Sequence, residues 1–329
     1  MRILLVPWLF GCVPSVSDGV DDEAPPTDTA GPEGDADGDG VPLAQDCDDL
    51  DASVITPTAT WPGDVEDADW ADLCASGEVL RVEGDIYPDP SLTSLEPLSC
   101  VCEIGGSLGL MGMTSLTSLH GLERLRVVDE LVLIARDGGA LTSLEGLERL
   151  SSVQDLHLSR LTQLGDLSAL AGLRAVEHTL ALHGLSLVER LDGLEGLSAT
   201  TYLSLGDAPA LVDLTALSGL ASVTGTLHIS ETDALASLDG LDGLSAVGGS
   251  LELEENGPLV DLGGLSGLRT IGNELRLRGN ADLSDLSALY NLESVGGDVT
   301  ILDNPALPAG EAEALVDELE TVGGHIEIE

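Results

Sequence analysis

Three consecutive stretches of equal length decide the fold: LASLDGLDGLSAVGGSLELEENGP (235–258), LVDLGGLSGLRTIGNELRLRGNAD (259–282) and LSDLSALYNLESVGGDVTILDNPA (283–306). Their shared frame is L-x-x-L-x-x-L-x-x-L-x-x-V-G-G-x-L-x-L-x-x-N. Earlier units begin at Leu92, Leu116, Leu141, Leu164, Val188 and Leu211, and a terminal variant begins at Leu307; the units are 23–25 residues long. A fixed period of this size is the signature of a solenoid.

The frame has a physical reading. The L-x-L pairs Leu227/Ile229, Leu251/Leu253, Leu275/Leu277 and Val299/Ile301 alternate with polar residues, as a half-buried strand requires. Stacked coils turn these pairs into a parallel sheet. The Gly248-Gly249 and Gly296-Gly297 pairs are expected to make a corner through positive φ. Asn256, Asn280 and Asn304 fall three residues after the strand, where a side chain can satisfy turn backbone between coils. One coil buries about seven aliphatic side chains at about 1.5–3 kcal/mol each, while ordering its backbone costs about 1–2 kcal/mol per residue. A lone coil therefore cannot fold, and stacking supplies the stability. The expected fold is mainly β: a parallel leucine-rich solenoid of about ten coils with a short C-terminal capping helix in Pro308–Thr321.

The frame resembles the receptor L domain of growth-factor and insulin receptors. The opening is similar too: Cys74, then Val82-Glu83-Gly84-Asp85-Ile86, Leu92-Thr93-Ser94-Leu95, Cys100 and Ile104-Gly105-Gly106-Ser107-Leu108. The resemblance covers residues 73–329. It implies a right-handed β-helix and a ligand-binding module rather than an enzyme.

The chain starts MRILLVPWLFG, with Cys12 next. Arg2 followed by the apolar run Ile3–Phe10 reads as an export signal over residues 1–11, too short to span a bilayer. Leu9-Phe10-Gly11-Cys12 resembles a bacterial lipobox, which implies lipidation at Cys12 and a place on the outer membrane or cell surface. Residues 12–34 are acidic and Pro-rich, as a solvated tether should be. Residues 35–57 carry Asp35, Asp37 and Asp39 in alternation, then Gly40, Val41, Asp46, Asp48, Asp49 and Asp51. Ca²⁺ takes six to eight oxygen ligands from a flexible loop. Alternating carboxylates, the Val41 carbonyl and Asp46 at the twelfth position of such a loop supply that chemistry, so calcium is the expected cofactor. Pro42 and the missing flanking helices set this loop apart from an EF-hand. The run is similar to thrombospondin type 3 and MopE-like metal-binding motifs. Residues 58–91 are expected to form an N-terminal cap and first coil, 92–306 the repeats and 307–329 the C-terminal cap.

Apart from Cys12, the cysteines are Cys47, Cys74, Cys100 and Cys102, an even number that suggests disulfides in an exported chain. Cys74 precedes Cys100 by about one coil, so a Cys74–Cys100 or Cys74–Cys102 bridge would staple adjacent turns.

The 329 residues hold 59 acidic and 12 basic side chains, for a net charge of −47, with aromatics at 2%. Such a chain is repelled by nucleic acid and has no basic run for anionic lipid, so any membrane contact is through the lipid anchor. No nucleophile elbow, phosphate loop or histidine ligand spacing appears, and no histidine is assigned a role. Outward positions on the sheet read Gly109, Val132, His157, Ala181, Ser204, His228, Glu252, Arg276, Thr300 and Glu327, coil by coil. Glu252 and Glu254 are expected beside Arg276 and Arg278, as a surface ladder or a weak binding surface. The expected role is non-catalytic recognition or adhesion toward an extracellular protein or glycan. The alternatives are a passive envelope spacer and, further off, a β-helix enzyme acting on polysaccharide.

Overall fold

The computed structural model describes residues 57, 59–65, 73–77, 79–136 and 139–329. They form an all-parallel β-solenoid of about 11 turns. Twelve strands, from Ala59–Trp61 and Leu80–Val82 to Ile326–Ile328, pair in chain order into one long sheet. A second sheet of six two-residue strands runs from Ala199–Thr200 to Thr321–Val322. The expected terminal helix is the eight-residue Glu311–Glu318. The expected N-terminal cap includes solenoid itself: Ala59–Trp61 pairs in register with Leu80–Val82, and that strand pairs with Val101–Met111.

The interior is a stack of leucines. Leu251, Leu253, Leu259, Leu262, Leu265 and Leu268 of one coil are all fully buried, each above its counterpart in the coil before. Every third residue of the L-x-x-L run points inward, and both apolar residues of each L-x-L pair do so too. Such a thin core has room for aliphatic side chains, which explains the low aromatic content.

Two kinds of turn serve the L-x-x-L face. In four coils an aspartate accepts the backbone N–H two residues on and starts a short 3-10 turn: Asp166 to Ser168 (3.0 Å), Asp213 to Thr215 (2.6 Å), Asp261 to Gly263 (2.8 Å) and Asp285 to Ser287 (2.7 Å). The Ser or Thr hydroxyl, and then the backbone N–H, hold Asp166, Asp213 and Asp285 below the usual carboxylate range. In other coils Gly121, Gly146, Gly193 and Gly240 sit at φ of 109–112°, and their N–H groups donate to Glu123, Glu148, Glu195 and Asp242.

The expected role of the V-G-G glycines is corrected. Gly248, Gly249, Gly296 and Gly297 do not have positive φ. Their need for glycine comes from close approach. A Cβ at Gly248, Gly272, Gly296 or Gly323 would collide with the carbonyl oxygen of the equivalent residue one coil earlier, namely Thr224, Gly248, Gly272 and Gly296. The left-handed corner lies instead just after eight of the twelve long-sheet strands. Gly112, Gly184 and Gly279 adopt it, and so do Arg160, Asp207, Glu231, Glu255 and Asp303, at φ of 47–58°. A non-glycine residue there is strained by about 1–2 kcal/mol.

Beyond that corner stands the asparagine ladder, as its spacing implies. Asn280 Oδ1 accepts the Asn256 N–H (3.1 Å), Asn304 Oδ1 accepts the Asn280 N–H (3.0 Å), and Thr232 closes the near end on Asn256 Oδ1 (2.7 Å). Each Nδ2 donates to a strand carbonyl of the preceding coil: Ile229, Leu253 and Leu277. All four side chains in the ladder are buried.

Asn280→Ala leaves two buried backbone groups without partners, so it should cost about 2–4 kcal/mol in urea unfolding. Glu231→Gly relieves the corner strain against the extra chain entropy of glycine, and should raise stability by about 0.5–1 kcal/mol. Equal effects of the two substitutions would contradict this assignment of roles.

Candidate functional site

The outward face of the long sheet is set by register. Gly109, Val132, His157, Ala181, Ser204, His228, Glu252, Arg276, Thr300 and Glu327 are aligned strand to strand, as the repeat frame implies. The next outward column runs Met111, Ile134, Ser159, His183, Gly206, Ser230, Glu254, Arg278 and Leu302.

Glu252 and Glu254 stand beside Arg276 and Arg278 as the repeat frame implies, and the bonds between these charges run along the strand and diagonally. Glu252 faces Arg276 and Glu254 faces Arg278 in register, yet neither direct pair forms an ion pair. Arg276 grips Glu274, two residues back on its own strand, through Nε (3.0 Å) and Nη2 (2.8 Å), and reaches diagonally to Glu254 (3.4 Å). Glu252 instead accepts from His228 Nδ1 (3.1 Å), and Arg278 donates to Asp303 on the following coil (3.2 Å). A same-face i−2 neighbour and a diagonal neighbour are as reachable as the direct partner. The planar guanidinium fork favours one carboxylate held at two points. The Glu274 hydrogen bond raises the Arg276 pKa, and Glu254 adds to it. Both arginines are thus engaged within the sheet.

Three histidines dominate the rest of the face. His183 Nε2 lies 2.9 Å from Ser204 Oγ, and His228 Nε2 lies 2.9 Å from Ser230 Oγ. His157 Nε2 stands 4.0 Å from Glu130 Oε1. Burial, then the nearby His228, lowers the pKa of His183, with Asp207 opposing. Glu130, Val132, His157, Ser159, Ala181 and His183 border an open depression of about 470 Å³. Small residues at Ala181 and Ser159 make the room, and Val132 gives it an apolar floor. Sequence reading gave these histidines no role. The signal that could have found them is the alignment itself, since residues two apart on a strand share a face and residues one period apart are neighbours.

No group of three His, Cys, Asp or Glu side chains among the described residues is placed to hold a metal ion. The calcium candidates Asp35, Asp37, Asp39, Val41, Asp46, Asp48, Asp49 and Asp51, the lipidation candidate Cys12 and the disulfide candidate Cys47 lie outside the described residues. Among those described, no helix is long and apolar enough to cross a membrane.

Of the two open pairings, the disulfide is Cys74–Cys100, with Cα atoms 5.5 Å apart. Cys102 is a free thiol with no exposure. It is two residues from Cys100, yet Leu80 pairs with Val101, and the register shift before Arg81 pairs with Glu103 leaves Cys102 opposite neither. Burial, and then the Glu103 charge, push its pKa up to about 11.

No protein-family model matches the chain, and no curated protein matches it.

A thiol this buried and this weakly acidic is inert. Iodoacetamide at pH 8 should leave Cys102 unmodified in the folded chain and alkylate it fully in 6 M guanidinium, as mapped by mass spectrometry. Fast alkylation of Cys102 in the native protein would contradict its placement.

Proposed function

We propose that the chain is an exported, lipid-anchored surface protein. Its solenoid would serve extracellular recognition or adhesion, on a calcium-binding acidic segment over residues 35–57. The resemblance to receptor L domains and to MopE-like motifs points the same way, as do the export signal and the lipobox. One observation carries the recognition reading. The interior repeats leucine from coil to coil, whereas the outward sheet face changes residue at every coil and opens the depression at Glu130, Val132, His157, Ala181 and His183. A scaffold that only separates two points needs no such variation. The depression joins an apolar floor to imidazole and carboxylate groups, which suits the C–H face and hydroxyls of a neutral or cationic glycan better than a polyanion.

The spacer reading has its own support. Arg276 and Arg278, the cations once expected to mark a binding patch, are bonded to Glu274, Glu254 and Asp303 of the same face.

Two measurements separate these readings. The full chain, in 1 mM Ca²⁺, is applied to an array of neutral, cationic and anionic glycans, beside an Ala181→Trp variant that fills the depression. Recognition predicts binding to neutral or cationic members and at least a tenfold loss in the variant at unchanged melting temperature. Failure to bind any member, or equal binding by the variant, rejects the depression as the site. Calorimetric titration with Ca²⁺ should show saturable binding that Asp37→Asn with Asp39→Asn removes; no heat at millimolar Ca²⁺ makes residues 35–57 a charged tether only.

A further inference from the structure

The side of the solenoid changes construction along its length. Up to the strand Ala175–His183, the long sheet carries the side face with it: Val127 pairs with Ser152, and Ser152 with Ala175. In the next coil the strand is split. Ala199–Thr200 starts the second sheet as its edge and pairs only with Ser222–Val223. No strand pairing joins Ala175–Val176 to Ala199–Thr200. The spacing marks the same place. Leu180 follows Val176 by four residues and Leu227 follows Val223 by four, but Leu203 follows Thr200 by three. The Thr200 coil thus turns this corner with one residue fewer than the coil on either side.

Hydroxyl groups bridge the break. Thr200 is buried where the flanking coils have Val176 and Val223, and its hydroxyl donates to the His178 carbonyl at 3.1 Å. The Thr201 hydroxyl donates to the Glu177 carbonyl at 3.1 Å, and that of Thr224 to Thr201 Oγ1 at 3.3 Å.

Beside the break lies an open recess of about 330 Å³, bordered by Arg174, Glu177, Ser198, Ala199, Thr201 and Thr224. It shares no residue with the depression at Ala181. Arg174 is exposed and forms no ion pair among the described residues, unlike Arg276 and Arg278. Its Nη1 donates to the Ala171 carbonyl at 3.2 Å, which sets the guanidinium beside Gly196; a Cβ there would stand 2.8 Å from Nη1. The other guanidinium N–H groups have no protein acceptor among the described residues and can only donate. Thr201 and Thr224 use their protons within the protein, so toward the recess their oxygens accept. The Glu177 carboxylate accepts too.

A lone guanidinium donor and several acceptors ask for a ligand with one carboxylate and several hydroxyl groups. One guanidinium matches one negative charge held at two points. Glu177 in the same recess, and a chain of net charge −47, oppose a second. The volume is at the small end for ligand pockets, which suits a single ring. We propose that this recess binds one uronic acid unit, its carboxylate paired with Arg174 and its hydroxyls donating to Thr224, Ser198 and Glu177. The site does not rest on the recognition reading of the Ala181 depression.

The full chain is titrated with the methyl glycosides of galacturonate and glucuronate. Neutral methyl galactoside and methyl glucoside, acetate and glucose 6-phosphate are titrated beside them. Calorimetry and NMR of the threonine methyl groups follow binding. The expected result is saturable millimolar binding of a uronate, with shifts at Thr201 and Thr224, and at least tenfold weaker binding of every other probe. Arg174→Gln should reduce uronate binding to the level of the neutral glycoside, and Arg174→Lys should recover part of it. Ala199→Phe should abolish binding by filling the recess, whereas Ala181→Trp should leave it unchanged. Arg174 and Ala199 are both exposed, and thermal melts check that their variants fold. The proposal is overturned if no uronate saturates at tens of millimolar, if a neutral glycoside, acetate or glucose 6-phosphate binds as tightly, or if Arg174→Gln binds uronate like wild type. Each of these outcomes leaves the recognition reading standing, since that is read from Ala181→Trp on the glycan array.

Discussion

The structure depends on the hydrogen bonds that join each coil to the next. Parallel strands in a ladder lie about 4.8 Å apart, and that spacing has to hold at every corner as well as along the strands. Wherever two coils meet backbone to backbone, no Cβ fits, and this is why the glycines at Gly248, Gly272, Gly296 and Gly323 stand one above another. Where the chain turns inward after the strand, the buried amides have no strand partner. Asparagine supplies one, because its side chain both donates and accepts. Asn256, Asn280 and Asn304 thus extend the ladder through a turn that would otherwise bury unpaired polar groups.

The same constraint explains what could be read in the sequence. An integer period makes strand register a matter of counting, so the outward column from Gly109 to Glu327 and the asparagine ladder both follow from spacing. Torsion angles and side-chain directions do not. The V-G-G motif gave no hint whether its glycines serve positive φ or close approach, and charged residues such as Glu231 and Glu255 conceal the left-handed corner that they occupy. Spacing brings Glu252 to Arg276, but the choice of Glu274 is made by the reach and planarity of the guanidinium. The break between Cys100 and Cys102 turns on a register shift beside Leu80, which no count of residues reveals. The line from Ser230 through His228 to Glu252 was legible as positions on a face and illegible as hydrogen bonds.

A fixed interior also frees the exterior. Because leucines and glycines determine the coil, an outward position can change without altering the path of the backbone, provided that it keeps to a rotamer that its neighbours allow. The face therefore carries its differences in small steps: Ala181 and Ser159 make space, while Glu130 and His183 border it. Depth on a sheet face comes only from such omissions. The depression at Ala181 is made in this way, whereas at Gly206 the His183 ring and the Ser230 hydroxyl close over the backbone.

Charge decides what this face can meet. The chain carries a net charge of −47, and among the outward groups Arg276 and Arg278 are matched by carboxylates of their own sheet. The groups whose charge can still change near neutral pH are therefore the imidazoles. His183 is held toward its neutral form by burial and by neighbouring His228, whereas His228 is bonded to Glu252. Burial thus sets His183 toward its neutral form, while His228 keeps a carboxylate and a hydroxyl as its partners on the same face.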